Sequence, residues 1–172
     1  ISNNSGSTAL QRAKNEGIPA YHLSQKTHPG AGQLDRAITD TLVRHGVNTM
    51  ILAGYMRLLG PLTVSTFRGR ILNIHPALLP KFGGKGLFGK AVHEAVLAAG
   101  ERVTGATVHL VDERYDHGPV IAQSKVPVMS NDTLETLSVR VLEREHELYV
   151  ETLRKIERGE IDLSTFRSGE RA

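Results

Sequence analysis

Thr49-Met50-Ile51-Leu52-Ala53-Gly54 is a continuous apolar run closed by a turn glycine. A run of this length, too short for a helix, suits a strand buried on both faces of a parallel sheet. It follows a stretch of a different period. Residues 34–44 repeat apolar side chains at 34, 37, 38 and 42, and Gly46 stands where such a helix would stop. A short helix over residues 61–67, with Pro61 in its first turn, leads to the next strand at 70–74. Helix and strand alternating at these spacings predict an α/β fold, a mostly parallel twisted sheet flanked by helices.

The remaining punctuation fits the same plan. Residues 8–15 read as a helix ended by Gly17, and 20–23 as a short strand. The segment 24–32 carries Pro29, Gly30 and Gly32 and reads as a loop. The stretch 81–89 holds four glycines and is a mobile loop by composition. Residues 92–99 form a helix closed by Gly100, while 105–111 and 120–128 alternate as strands, the second read as antiparallel. Residues 132–158 make one long amphipathic helix, with Asp132 as cap, Glu135 completing a capping-box pattern and Gly159 ending it.

Composition removes several function classes. The chain has 172 residues, enough for one domain with an ordinary core. It has no apolar run approaching ~18 residues, so no membrane-spanning helix is expected. Ile1-Ser2-Asn3-Asn4 has neither the basic nor the apolar region of a signal peptide. Cysteine is absent, which removes disulfides, thiolate nucleophiles and thiolate metal sites and fits a reducing, cytoplasmic setting. The net charge of +3 is dispersed, and the densest basic region, 140–158, alternates with glutamate. That is a solvated helix face with i,i+4 pairs, so no nucleic-acid partner is expected. The histidines show no paired ligand spacing on a helix, so no metal is expected either.

The chemistry concentrates at Asn73-Ile74-His75-Pro76 and at Asp116-His117-Gly118-Pro119. An amide can donate to a developing oxyanion, an imidazole can shuttle a proton near neutral pH, and a carboxylate can orient or charge the imidazole. Asn73 and His75 lie two apart, so in extended chain their side chains face one way. The competing reading makes Asn73 a turn residue, His75 a packed histidine and Asp116 ordinary turn chemistry before Gly-Pro. His109 alternates with apolar residues on a strand and either faces the site or is simply packed. Arg57 would suit a carboxylate clamp or an ordinary surface position. Ligands of such sheets sit beyond the carboxyl ends of strands, where residues 54–57 and 73–75 both fall.

At these residues the chain resembles the phosphoribosylglycinamide formyltransferase family of folate-dependent enzymes. The resemblance runs through residues 53–59, 72–80, 103–111 and 116–121 and into the helix segment 140–146. It implies a Rossmann-like formyltransferase fold in one domain over 1–172, and formyl transfer from the co-substrate 10-formyltetrahydrofolate to the amine of glycinamide ribonucleotide in purine synthesis. By the same resemblance Asn73, His75 and Asp116 are the catalytic group. Met56, Arg57, Leu58 and Leu59 would line the folate site with Asn73, Val111, Asp112, Glu113, Arg114 and Tyr115. Glu145 and Pro76 would meet the ribonucleotide. The partners implied are these two small molecules, and the resemblance leaves room for a homodimer.

The chain departs from the family pattern in three places. The family's N-terminal strand and glycine-rich phosphate loop find no counterpart before Ile1, which is expected to continue the second strand. The 83–89 loop is longer than in shorter members, and 24–32 lacks an arginine near the folate tail. The rival readings are a formyltetrahydrofolate deformylase, giving the formyl group to water, and a non-catalytic folate- or nucleotide-binding module. A transfer-RNA formyltransferase and a metal-dependent hydrolase rank below them.

Overall fold

The computed structural model describes residues 1–166. The last residues of the domain expected over 1–172, positions 167–172, lie outside the described ones. The chain divides into two compact units: Ile1–Asn48 with Arg57–Phe67, and Thr49–Met56 with the chain from Arg68 onward.

In the first unit the three expected helices form: α1 (Thr8–Asn15), α2 (Gln33–Arg44) and α3 (Pro61–Thr66). Glycines in left-handed conformation follow α1 and α2, Gly17 at φ 67° and Gly46 at φ 63°. The Asp35 carboxylate reaches from α2 to the start of α3, accepting from Leu62 N at 2.8 Å and Thr63 N at 2.9 Å. Two orphan amides of a short helix are thereby satisfied by a residue distant in sequence. The strand expected at 20–23 is reduced to a single parallel bridge between Ser2 and His22.

The second unit holds the sheet: β1 (Met50–Leu52), β2 (Ile71–His75), β3 (Val103–Leu110) and β4 (Val120–Pro127), in that spatial order. The β1–β2 pair is parallel, and β2–β3 and β3–β4 are antiparallel. The α/β architecture is therefore as expected, with its parallel character in the N-terminal half. β1 is an edge strand of this sheet, and Ile51 is 48% exposed rather than buried as a two-sided strand requires.

Helices α4 (Lys90–Ala98) and α5 (Leu134–Glu157) complete this unit. Leu148 and Tyr149 of α5 pack with Leu72, Ala106, Val108 and Leu110 of the sheet. Leu137 and Val141 pack with Val96 of α4 and Val126 of β4. The Tyr149 hydroxyl is shared between the Leu52 and Leu72 carbonyls, each at 3.0 Å, so the longest helix is tied to β1 and β2.

The cap of α5 lies one residue later than expected. Thr133 is the N-cap: its hydroxyl accepts from Thr136 N at 3.2 Å, and Thr133 N donates to the Thr136 hydroxyl at 3.0 Å. Asp132 is otherwise engaged, since Arg140 grips its two oxygens at 2.7 and 2.8 Å. That paired guanidinium holds the Asp132 carboxyl well below the usual carboxylate range.

Candidate active site

The antiparallel register of β2 and β3 sets Asn73 opposite His109 and His75 opposite Thr107. Directly paired residues point to one face of a sheet, so four polar side chains form a square on that face. Thr107, fully buried, fixes the chain that leaves β2: its hydroxyl donates to Ala77 O at 2.6 Å and accepts from Leu79 N at 3.1 Å. Gln123 of β4 braces it by donating to the same hydroxyl at 2.9 Å. A register shift in β4 falls opposite Val108 and His109, where a local irregularity re-aims side chains.

Asp116 arrives from the loop between β3 and β4 with its backbone at φ 51°. Its Oδ1 lies 3.5 Å from His75 Nδ1 and 3.6 Å from His109 Nε2. Its Oδ2 accepts from Gly84 N at 2.9 Å. Glycine at 83 eases this approach: a Cβ there would fall 2.5 Å from Leu79 Cδ2 and 3.1 Å from Asp116 Cβ, so both neighbours would have to give. Asn73, His75 and Asp116 thus converge, and the glycine-rich segment is tied to the site by hydrogen bonds.

Sequence reading left His109 undecided, and the structure puts it inside the group. Its Nδ1 donates to Leu110 O at 2.8 Å, which leaves Nε2 as an acceptor in the neutral ring. Asn73 Nδ2 donates to that nitrogen at 3.1 Å. His109 therefore decides which end of the Asn73 amide is the donor end. The period-two spacing of Thr107 and His109 carried this information, but only the register to β2 gives it meaning.

Burial pushes both imidazoles below their ordinary value. For His75 the Asp116 charge and the Phe82 carbonyl oppose the shift, and for His109 the Leu110 carbonyl and Asp116 do. His93 of α4 is lowered too, first by burial and then by the charge of His75. Neutral rings at pH 7, with a carboxylate beside them, can accept a proton and hold it as imidazolium.

The other expected site residues are distributed more widely. Met56 ends its segment of the second unit and is 55% exposed. Arg57, Leu58 and Leu59 belong to the first unit; Leu58 is exposed, while Leu59 is buried there. Val111 N donates to Ile71 O at 2.9 Å, anchoring the loop after β3 to the sheet. Asp112 accepts from Arg114 N at 2.8 Å and from His117 Nδ1 at 2.6 Å, and Arg114 donates to His117 Nε2 at 2.7 Å. Glu113 pairs with Arg68, and Tyr115 is exposed. These contacts brace the loop that leads into Asp116.

Pro76 follows β2 directly. Glu145 sits half-buried on α5 between the helix positions of Val141 and Leu148. Burial pushes its carboxyl up to about 7. No hydrogen bond or ion pair joins it to Asn73, His75 or Asp116 among the described residues. No group of three metal-ligating side chains is arranged to hold an ion among those residues.

A phosphoribosylglycinamide formyltransferase of Arabidopsis thaliana, named as chloroplastic, is 46% identical over 154 residues, 89% of this chain and 53% of that protein. The enzyme of that name from Bacillus subtilis is 38% identical, covering 86% of this chain and 73% of its own. The crystal structure of glycinamide ribonucleotide transformylase 1 from Symbiobacterium toebii superposes with a TM-score of 0.84 at 39% identity, over 92% of this chain and 73% of that one. The chain spans about half the length of the plant relatives it matches. Residues 1–153 match the formyl transferase family model, and the chain belongs to that family.

Proposed function

We propose that this chain transfers a formyl group from 10-formyltetrahydrofolate to the amine of glycinamide ribonucleotide. The observation that carries the reading is the approach of His75 Nδ1 and His109 Nε2 to one oxygen of Asp116, with Asn73 Nδ2 bonded to that same His109 nitrogen. Amide donor, neutral imidazole and carboxylate are the groups that nitrogen-to-nitrogen acyl transfer needs. The names of the relatives supply the substrate class.

In this proposal the amine attacks the formyl carbon and the carbonyl oxygen becomes an oxyanion, which accepts from the free N–H of Asn73. His75 takes the proton released by the amine, and Asp116 stabilises the imidazolium before the proton passes on to the leaving folate nitrogen. Holding both substrates in register supplies roughly 7–11 kcal/mol of the barrier. Met56 and the braced segment Val111, Asp112, Glu113, Arg114 and Tyr115 are assigned to folate, and Pro76 and Glu145 to the ribonucleotide. A cytoplasmic location belongs to the same proposal, the plant relatives being chloroplastic by name. No helix among the described residues is long and apolar enough to cross a membrane.

The experiment is a formyl-transfer assay with and without glycinamide ribonucleotide. Amine-dependent loss of formyl-folate is expected. Formate released equally well without the amine would replace the transferase by a deformylase, and folate binding without either reaction would leave a binding module.

The same assay run against pH gives a second expected result. With His75 as the base, kcat/KM rises with pH through a midpoint below the ordinary imidazole value of 6.5 and is level above it. Asp116, His93 and His109 are the ionisable groups facing that ring. Stability follows the same sign. The unfolded chain binds protons on these histidines below pH 6.5 while the folded chain resists, so stability falls as pH drops through that window. Far-UV dichroism at each pH separates the two effects. A level profile from about pH 5 to 8 with the fold intact would remove an imidazole from the rate equation.

A further inference from the structure

Among the described residues, two non-glycine backbones take positive φ: Phe82 at 56° and Asp116 at 51°. Both face His75. The Phe82 carbonyl accepts from His75 Nε2 at 2.8 Å, and Asp116 Oδ1 lies 3.5 Å from Nδ1 on the opposite side of the ring. An aromatic residue in the left-handed region is an outlier that its surroundings must enforce. Here the Phe82 side chain is held by the cluster of Val96, Val126, Leu137 and Val141. The next residues, Gly83 and Gly84, close on Asp116. The strain is thus locked at both ends, and its product is one carbonyl aimed at one ring nitrogen.

We propose that Phe82 is a positioning residue whose main-chain carbonyl holds His75 as the Nε2–H tautomer, leaving Nδ1 as the nitrogen that handles the proton in catalysis. A carbonyl only accepts, so the nitrogen it faces carries the hydrogen, and the neutral ring has its lone pair on Nδ1. Nδ1 is also the nitrogen turned toward Asp116 Oδ1, beside His109 Nε2 and the Asn73 amide. The working atoms lie on that side of the ring. His109 is set the other way by the Leu110 carbonyl, with hydrogen on Nδ1 and lone pair on Nε2. Two neighbouring imidazoles are therefore fixed as opposite tautomers, and their unprotonated nitrogens lie 3.5 and 3.6 Å from one Asp116 oxygen.

The catalytic consequence rests on the formyl-transfer reading; the tautomer itself does not. As the amine nitrogen bonds to the formyl carbon, the carbonyl π pair moves onto oxygen and the amine proton moves to His75 Nδ1. Nε2 keeps its own proton on the Phe82 carbonyl throughout. When the oxyanion pair re-forms the carbonyl and the bond to the folate nitrogen breaks, the Nδ1 proton passes to that nitrogen. No further reactant enters.

The first test needs no substrate. Two-dimensional nitrogen NMR of histidine-labelled protein near neutral pH, assigned with His75→Gln and His109→Gln, is expected to show His75 protonated at Nε2 and His109 protonated at Nδ1. A His75 ring protonated at Nδ1 and bare at Nε2 overturns the proposal, whatever the assay shows.

The second test compares Phe82→Asn with Phe82→Val. Both remove the ring, but asparagine accepts the left-handed conformation and a β-branched valine resists it. Phe82→Val is expected to lower kcat about ten- to a hundred-fold, with KM within roughly two-fold and a mixed His75 tautomer. Phe82→Asn should keep the tautomer and most of kcat. Equal losses in the two variants would reduce Phe82 to a packing residue. If Phe82→Val does not fold, the wild-type spectrum decides alone.

Discussion

His75→Ala is expected to lower kcat by about 10²–10⁴-fold while leaving the affinity for formyl-folate nearly unchanged. The reasoning starts from burial. His75 is 3% exposed at the end of β2, so its ring contributes little surface to a bound ligand, and its removal takes away a proton acceptor rather than a binding contact. The loss should therefore fall on kcat and on kcat/KM together. Alanine also leaves a hole behind the loop that Phe82 and Gly84 tie down, so turnover must be measured well below the unfolding transition. His75→Gln separates the two effects: it fills much of the space but cannot take up and return a proton near neutral pH. If glutamine restores turnover that alanine loses, the ring acts by packing and the proton role fails. Turnover within a few-fold of wild type in both variants removes His75 from the mechanism.

The fold and the site were legible to different depths. Helices α1, α2 and α5 could be placed because their signals are local: an apolar period, a left-handed glycine after the end, a hydroxyl or carboxylate before the start. Even there Asp132 was misread as a cap. The competing attraction of Arg140, eight residues on, is a contact that no local pattern weighs. Asn73 and His75 were legible because one strand end and one turn carry both.

His109 was not, because its partnership with Asn73 spans 36 residues and depends on antiparallel register. Apolar pattern alone does not tell parallel from antiparallel pairing, which is why the character of the β2–β3 half had to come from coordinates. Ile51 shows the same limit, since an apolar run signals burial without saying what covers each face. Phe82 was least legible of all. It acts through its main-chain carbonyl, an atom every residue has, and only its φ of 56° sets it apart.

Asn73→Ala carries the second large expectation: a fall in kcat of about 10²–10³-fold, or roughly 2.7–4 kcal/mol of transition-state stabilisation, with a small change in KM. One N–H of the Asn73 amide is spent on His109, and in the proposed mechanism that bond orients the other toward the developing oxyanion. The donor is thus paid in advance by the fold, and it gains most when the oxygen carries charge. Truncation also strands the His109 Nε2 acceptor in a ring that is 2% exposed, so a stability loss of about 1–3 kcal/mol should accompany the kinetic one. Asn73→Asp provides the sign test. It preserves shape but puts negative charge beside the oxyanion, and should be no better than alanine. His109→Phe should cost less than either change, because it releases the amide without removing it. Its effect should also largely vanish in an Asn73→Ala background, as coupled residues require. Fully additive losses would show that His109 reaches the reaction by some other route than the asparagine.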